Sequence, residues 1–111
     1  ERKVARMFVN IVEFPGIKKG RDAEFRKWFR WSNTVYSKFD GFISRRLIKP
    51  MDGKGKYAAI AEHRNKSTFM KMHLSPARQE AWGKVEPMFQ GKPTPYFYSV
   101  IVDYRARRKK S

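Results

Sequence analysis

Two histidines and a few tryptophans and asparagines are the residues here whose types and spacing could do chemistry. His73 ends a short helical stretch, where the negative end of the helix dipole favours the imidazolium form. From there it could act as acid or base towards a phenolic group. The position equally suits a helix-ending residue that caps backbone carbonyls and orients the Ser75-Pro76 start that follows. His63 closes an alternating stretch, and a surface or dimer-edge position is expected because strand ends are commonly solvated. A flat aromatic ligand needs apolar walls and a few fixed polar groups. Trp28, Trp31, Tyr36 and Trp82 could supply the walls, and Asn33 and Asn10 the donors. Trp82 would serve core packing as well, and a buried asparagine can be structural. The chosen set is His73 as the catalytic group, with Trp31, Asn33, Trp82 and Asn10 lining the substrate site. No metal ligands are assigned: a zinc signature, a Gly-rich phosphate loop and paired hydrolytic carboxylates are all absent.

The elements that must hold these residues follow from periodicity. Val4 to Phe14 alternates as a strand, with Phe8, Asn10, Val12 and Phe14 on one face and Val9, Ile11 and Glu13 on the other. Pro15, Gly16 and Gly20 break it. Asp22 to Phe39 has helical spacing, with Phe25, Trp28, Phe29, Ser32, Tyr36 and Phe39 in one stripe. Trp31 sits at the stripe's edge, where a pocket wall would stand. Asp40-Gly41 ends the helix, Gly41 taking the left-handed cap conformation. Strands are predicted over Phe42 to Lys49 and Tyr57 to His63, the second with Tyr57, Ala59, Ala61 and His63 on one face. A short helix follows from Ser67, its N-cap, to His73. Ser75-Pro76 starts another helix. It turns Ala77, Ala81, Trp82, Val85, Met88 and Phe89 inward until Gly91, Pro93 and Pro95 end it. Tyr96 to Asp103 is the last strand.

The order is the split βαβ, or βαββαβ, pattern: an α+β, ferredoxin-like chain with helices on one face of an antiparallel sheet. The opposite face is apolar on several strands, so a second copy packed face to face is expected as an isologous homodimer. Residues 1–103 form the domain and 104–111 a basic tail, where Arg105, Arg107, Arg108, Lys109 and Lys110 read as solvated.

The 111 residues are 41% apolar and 15% aromatic, enough for one core and too apolar for a disordered chain. The formal charge of +16 points to acidic partners, nucleic acid through the tail among them. With no Cys, disulfides, thiolate metal sites and a cysteine nucleophile are excluded. A cytoplasmic location is the expectation. No apolar run has the length of a membrane span and no signal peptide is visible, although the chain opens at Glu1 rather than Met.

Three stretches resemble the antibiotic-biosynthesis-monooxygenase family. They are the opening strand with Pro15-Gly16 and the helix containing Glu24-Phe25, the turn Asp40-Gly41-Phe42, and FMKMHLSPARQEAW from Phe69 to Trp82. The last is similar to the family's His-Leu-x-Ser-Pro region through His73, Leu74, Ser75 and Pro76. The run from Glu24 to Asn33 resembles a little-characterised archaeal and bacterial branch. The resemblance implies a dimeric α+β barrel with a pocket between helices and sheet in each subunit. It implies either cofactor-independent oxygenation of a small aromatic compound or haem binding and degradation. Haem-degrading relatives share an asparagine on the first strand, a tryptophan after the third and a histidine one helix later. Here Asn10 is shifted by about two residues, Met72 stands where the tryptophan is expected and Trp82 where the histidine is expected. Haem would then need His73 as axial ligand and Arg45, Arg46 and Lys49 on its propionates. The expected function is therefore a cofactor-independent monooxygenase. The alternatives are a haem protein of the same fold, or a non-enzymatic basic module for nucleic acid.

Overall fold

The computed structural model describes residues 7–106. Val4 to Arg6 of the expected first strand, and Arg107 to Lys110 of the tail, lie outside the described residues. The elements are β1 Phe8–Glu13, α1 Asp22–Tyr36, β2 Phe42–Ile48, β3 Ala58–His63, α2 Lys66–His73, α3 Pro76–Val85, a 3-10 turn Glu86–Met88, and β4 Thr94–Ser99. The sheet order is β2-β3-β1-β4 with every pair antiparallel. This is the α+β, ferredoxin-like arrangement that the element order predicts.

The register decides which side chains meet the helices. Asn10 lies opposite Ala61 on one side and Phe97 on the other, and Phe8 lies opposite His63 and Ser99. Phe8, Asn10 and Phe14 are buried, as are Tyr57, Ala59, Ala61 and His63, so both expected inward faces are the inward faces. On β2 an irregularity between Phe42 and Ser44 inserts Ile43. The extra residue lets Phe42, Arg45 and Leu47 all oppose inward positions of β3, which strict alternation from Phe42 would forbid.

Helix α1 buries Phe25, Trp28, Phe29, Ser32 and Tyr36. The Trp28 indole N–H donates to the Ala81 carbonyl at 2.8 Å and ties α1 to α3. One aromatic core gathers Phe14, Phe25, Trp28, Tyr57 and Phe89, and a second gathers Phe8, Tyr36, Phe69, Met72 and Ala81.

Several boundaries differ from the sequence expectation for local reasons. Helix α1 stops at Tyr36 with Ser37 as its right-handed cap, so Gly41 is not the helix cap. Gly41 has φ +88° in the turn into β2, and a Cβ there would run into the Thr68 side chain. The N-cap of α2 is Asn65, not Ser67: its side chain accepts from the Thr68 N–H while Thr68 reaches back to the Asn65 N–H. The helix begun by Ser75 and Pro76 ends at Val85, because Pro87 supplies no N–H to continue it. The last strand begins at Thr94 and ends at Ser99, and Pro95 is tolerated because β4 pairs only with β1.

Candidate functional site

Between the helices and the inward face of the sheet lies a cavity of about 190 Å3. Its walls are mostly apolar: Phe14, Phe42, Phe69, Met72, Trp82 and Phe97 are among them. Its polar lining is Asn10, Tyr36, Arg45, His63, His73 and Arg78, with no carboxylate.

Arg45 is the most telling of these. Its guanidinium lies over the Phe29 ring at 3.9 Å and the Tyr36 ring at 4.4 Å. Its Nη1 donates to Ser32 Oγ and Asn33 Oδ1, both at 2.7 Å. Ser32 and Asn33 are neutral, and among the described residues no carboxylate forms an ion pair with Arg45. Burial brings its pKa down to about 10, with Arg78 pushing the same way against the pull of Tyr36. A guanidinium in this state gains from any anion that enters beside it.

Arg78 stands in the first turns of α3, half-buried, with its guanidinium on the Trp82 ring at 4.9 Å. Burial lowers its pKa, while Tyr36 and the exposed Glu86 raise it. The Tyr36 hydroxyl is buried without a partner at hydrogen-bond geometry. Burial raises its pKa, and Arg45 and Arg78 oppose the rise.

His73 stacks on Phe69 with ring centres 5.4 Å apart. Burial, and then Arg78, hold its pKa below the ordinary imidazole value. The helix-dipole expectation of a favoured imidazolium is thus reversed: desolvation and a neighbouring cation outweigh the partial charge of a short helix end. His73 is a neutral base at neutral pH.

His63 is fully buried, not at a surface or dimer edge. Phe42 and Phe69 meet its ring edge-on, and Nδ1 lies 2.9 Å from Thr68 Oγ1. The same Thr68 hydroxyl lies 3.0 Å from the Asn65 carbonyl, so it is shared between the α2 cap and the histidine. His63 Nε2 is buried without a hydrogen-bond partner among the described residues, at the cavity lining. Burial, and then Arg64, lower the His63 pKa.

The structure brings His73, Trp82 and Asn10 to this cavity. The Asn10 amide donates to the Tyr96 carbonyl at 3.0 Å. Trp31 is not brought there: it is 40% exposed on α1, with the Lys84 ammonium 5.7 Å from its ring. Asn33 does not line the cavity either, and reaches it only by holding Arg45. Sequence reasoning placed Arg45 with Arg46 and Lys49. Arg46 opposes Ile60 on the other sheet face, and Lys49 lies over the Tyr57 ring, away from this cavity. Arg78 and Tyr36 complete the polar set. Arg78 follows Ser75 by three positions, a spacing that marks it as facing the same side as the N-cap.

No family model matches the chain, and no curated protein does. Solved structures do. A candidate antibiotic biosynthesis monooxygenase from Nitrosomonas europaea superposes with a TM-score of 0.76 at 11% identity, over 91% of this chain and 96% of that one. SnoaB from Streptomyces nogalater, a cofactor-independent oxygenase, superposes at 0.69 with 18% identity, over 87% and 93%. The chain has the fold of the antibiotic biosynthesis monooxygenases. A haem-degrading protein from Mycobacterium tuberculosis shares this fold at a TM-score of 0.64 and 20% identity, over 92% and 99%. The monooxygenase-type fold thus carries more than one chemistry, and the reaction must be argued from the cavity. Among the described residues no helix is long and apolar enough to cross a membrane.

Proposed function

We propose that the chain is a cofactor-independent monooxygenase whose substrate is a small phenol or hydroquinone bound as its anion. The observation that carries this reading is Arg45, a half-buried guanidinium with neutral hydrogen-bond partners in a cavity that no carboxylate lines among the described residues. Such a site favours the phenolate over the phenol, because the anion supplies the counter-charge that the protein omits. His73, kept neutral, accepts the phenolic proton. The phenolate is the reductant: it passes one electron to dioxygen, the two radicals combine into a peroxide anion on a ring carbon, and that anion takes back the proton held by His73 to become a hydroperoxide. Loss of water, with that carbon's hydrogen as the departing proton, leaves a quinone carbonyl. One O2 and one phenol give one quinone and one water, with no other co-reactant. The aromatic lining keeps water from the intermediate, and Trp82 and Asn10 contact the ring. Trp31 has no part in this chemistry, and Asn33 acts as the positioning residue for Arg45.

Two features count against haem. A cavity of about 190 Å3 is below the range of about 300–1,000 Å3 usual for drug-sized ligands, let alone a porphyrin. Arg46 and Lys49, which would join Arg45 on the propionates, lie elsewhere.

The outward sheet face carries Val9, Ile11, Ile60, Tyr96 and Tyr98, aligned across three strands by the register. Tyr96 and Tyr98 are among the exposed large apolar side chains. We infer that this face packs on a second copy in a homodimer.

An oxygen electrode tests the reaction on a panel of naphthols and hydroquinones. The expected result is protein-dependent oxygen uptake for at least one compound, falling about 100-fold or more in His73→Gln with unchanged circular dichroism. Uptake no faster than autoxidation across the panel would overturn the reading.

A further inference from the structure

The cavity holds a second cation that one phenolate leaves uncompensated. Arg45 and Arg78 both line it, and no Asp or Glu does. Arg45 already spends Nη1 on Ser32 and Asn33. The Arg78 backbone N–H donates to Ser75 Oγ at 3.1 Å as part of the α3 cap. Its guanidinium has the Trp82 face and the Tyr36 hydroxyl for company. A guanidinium fork on an aromatic plate matches a carboxylate, which it can hold through two parallel hydrogen bonds. A neutral ligand would leave two like charges facing one apolar cavity, whereas a ligand carrying two negative charges would compensate both. The cavity's size limits such a ligand to one or two rings.

We infer that the substrate is a hydroxyaryl carboxylic acid, its phenolate beside Arg45 and its carboxylate on Arg78. The assignment rests on the oxygenase reading for the role of the phenolate, but the carboxylate subsite is tested by binding alone. The charged and titratable groups near Arg78 are Arg45, Tyr36, His73 and Glu86. Near neutral pH only Glu86 among them is negative, and it does not line the cavity.

The test compares 1-hydroxy-2-naphthoate, 1-naphthol and 2-naphthoate by calorimetric titration at about 0.15 M salt, where exposed charges are largely screened. The hydroxynaphthoate should bind at least tenfold more tightly than either single-group analogue. In Arg78→Gln that preference over 1-naphthol should collapse to within about twofold while 1-naphthol binding is retained. Lys27→Gln, which removes an exposed α1 charge that does not line the cavity, should leave the preference intact. No preference in the unaltered protein would sink the inference. So would a preference untouched by Arg78→Gln, or one reduced as much by Lys27→Gln. Oxygen uptake measured in parallel separates the two readings. Tight, Arg78-dependent binding without uptake retains the carboxylate site and removes the oxygenase. Uptake with neutral naphthols and no carboxylate preference does the reverse.

Discussion

Arg45 owes its setting to three residue types: a small hydroxyl at Ser32, an amide at Asn33 and aromatic rings at Phe29 and Tyr36. Replacing Asn33 by Ala removes one acceptor while leaving the charge, so the expected effect is a three- to tenfold loss of phenolate affinity, read by titration, without loss of fold. A charge-assisted hydrogen bond of about 1.5 kcal/mol sets that scale. Arg45→Gln, which removes the charge itself, should cost more than Asn33→Ala, and equal losses would argue against electrostatic binding. The two histidines set the pH response. Both have pKa values lowered in the folded chain, so the unfolded chain binds more protons as pH falls below the ordinary imidazole range near 6.5. Stability is then retained above that range and lost as pH falls through it. Urea midpoints measured between pH 7.5 and 5 should fall, and His63→Gln should flatten the slope. An unchanged slope would show that neutral His63 is not its source.

Two contacts between elements hold the cavity open. The α1–α3 tie through Trp28 and Ala81 keeps the helices bearing Tyr36 and Arg78 at one distance. Trp28→Phe keeps the ring's apolar bulk and drops the donor, for an expected loss of about 1–2 kcal/mol, including the orphaned carbonyl. The turn before β2 is the other contact. At Gly41 the backbone is left-handed and Thr68 fills the space where a side chain would go. Gly41→Ala should destabilise by about 1–3 kcal/mol through strain and displacement of Thr68. Because Thr68 Oγ1 lies 2.9 Å from His63 Nδ1, the same change should alter the His63 titration seen by NMR. A Gly41→Ala protein with an unperturbed His63 would separate the cap from the histidine.

At the scale of the molecule, one sheet face carries the helices, and among the described residues the other carries Val9, Ile11, Ile60, Tyr96 and Tyr98 beside Arg46 and Glu62. Ile11 lies at the middle of that outward face, between Ile60 and Tyr96. A charge there opposes burial against a second copy without touching the cavity face, so Ile11→Glu is expected to sediment as a monomer and keep its far-ultraviolet dichroism. If the unaltered chain itself sediments as a monomer, the dimer inference fails. The basic balance, 26 Lys and Arg against 10 Asp and Glu, favours anionic ligands generally.

The order of elements and both inward strand faces were legible in the chain, because alternation and helical spacing are local properties that burial enforces. His63 shows how much of the site was also within reach. It shares a face with Tyr57, Ala59 and Ala61, and that parity already pointed inward, against the general tendency of strand ends to be wet. Arg45 was not within reach in the same way. Its inward direction depends on the extra residue at Ile43, and a one-residue bulge leaves no mark on a pattern of alternating residues. Trp31 shows the opposite limit, since an edge-of-stripe position can face either a pocket or solvent, and only the placement of α3 decides. Residue types and spacing determined that the chain would be a helix-covered antiparallel sheet with aromatic walls. Tertiary structure alone decided that two arginines from a strand and a helix 33 residues apart would meet in one cavity without a carboxylate. Charge compensation is a property of three-dimensional neighbours, and sequence distance does not encode it.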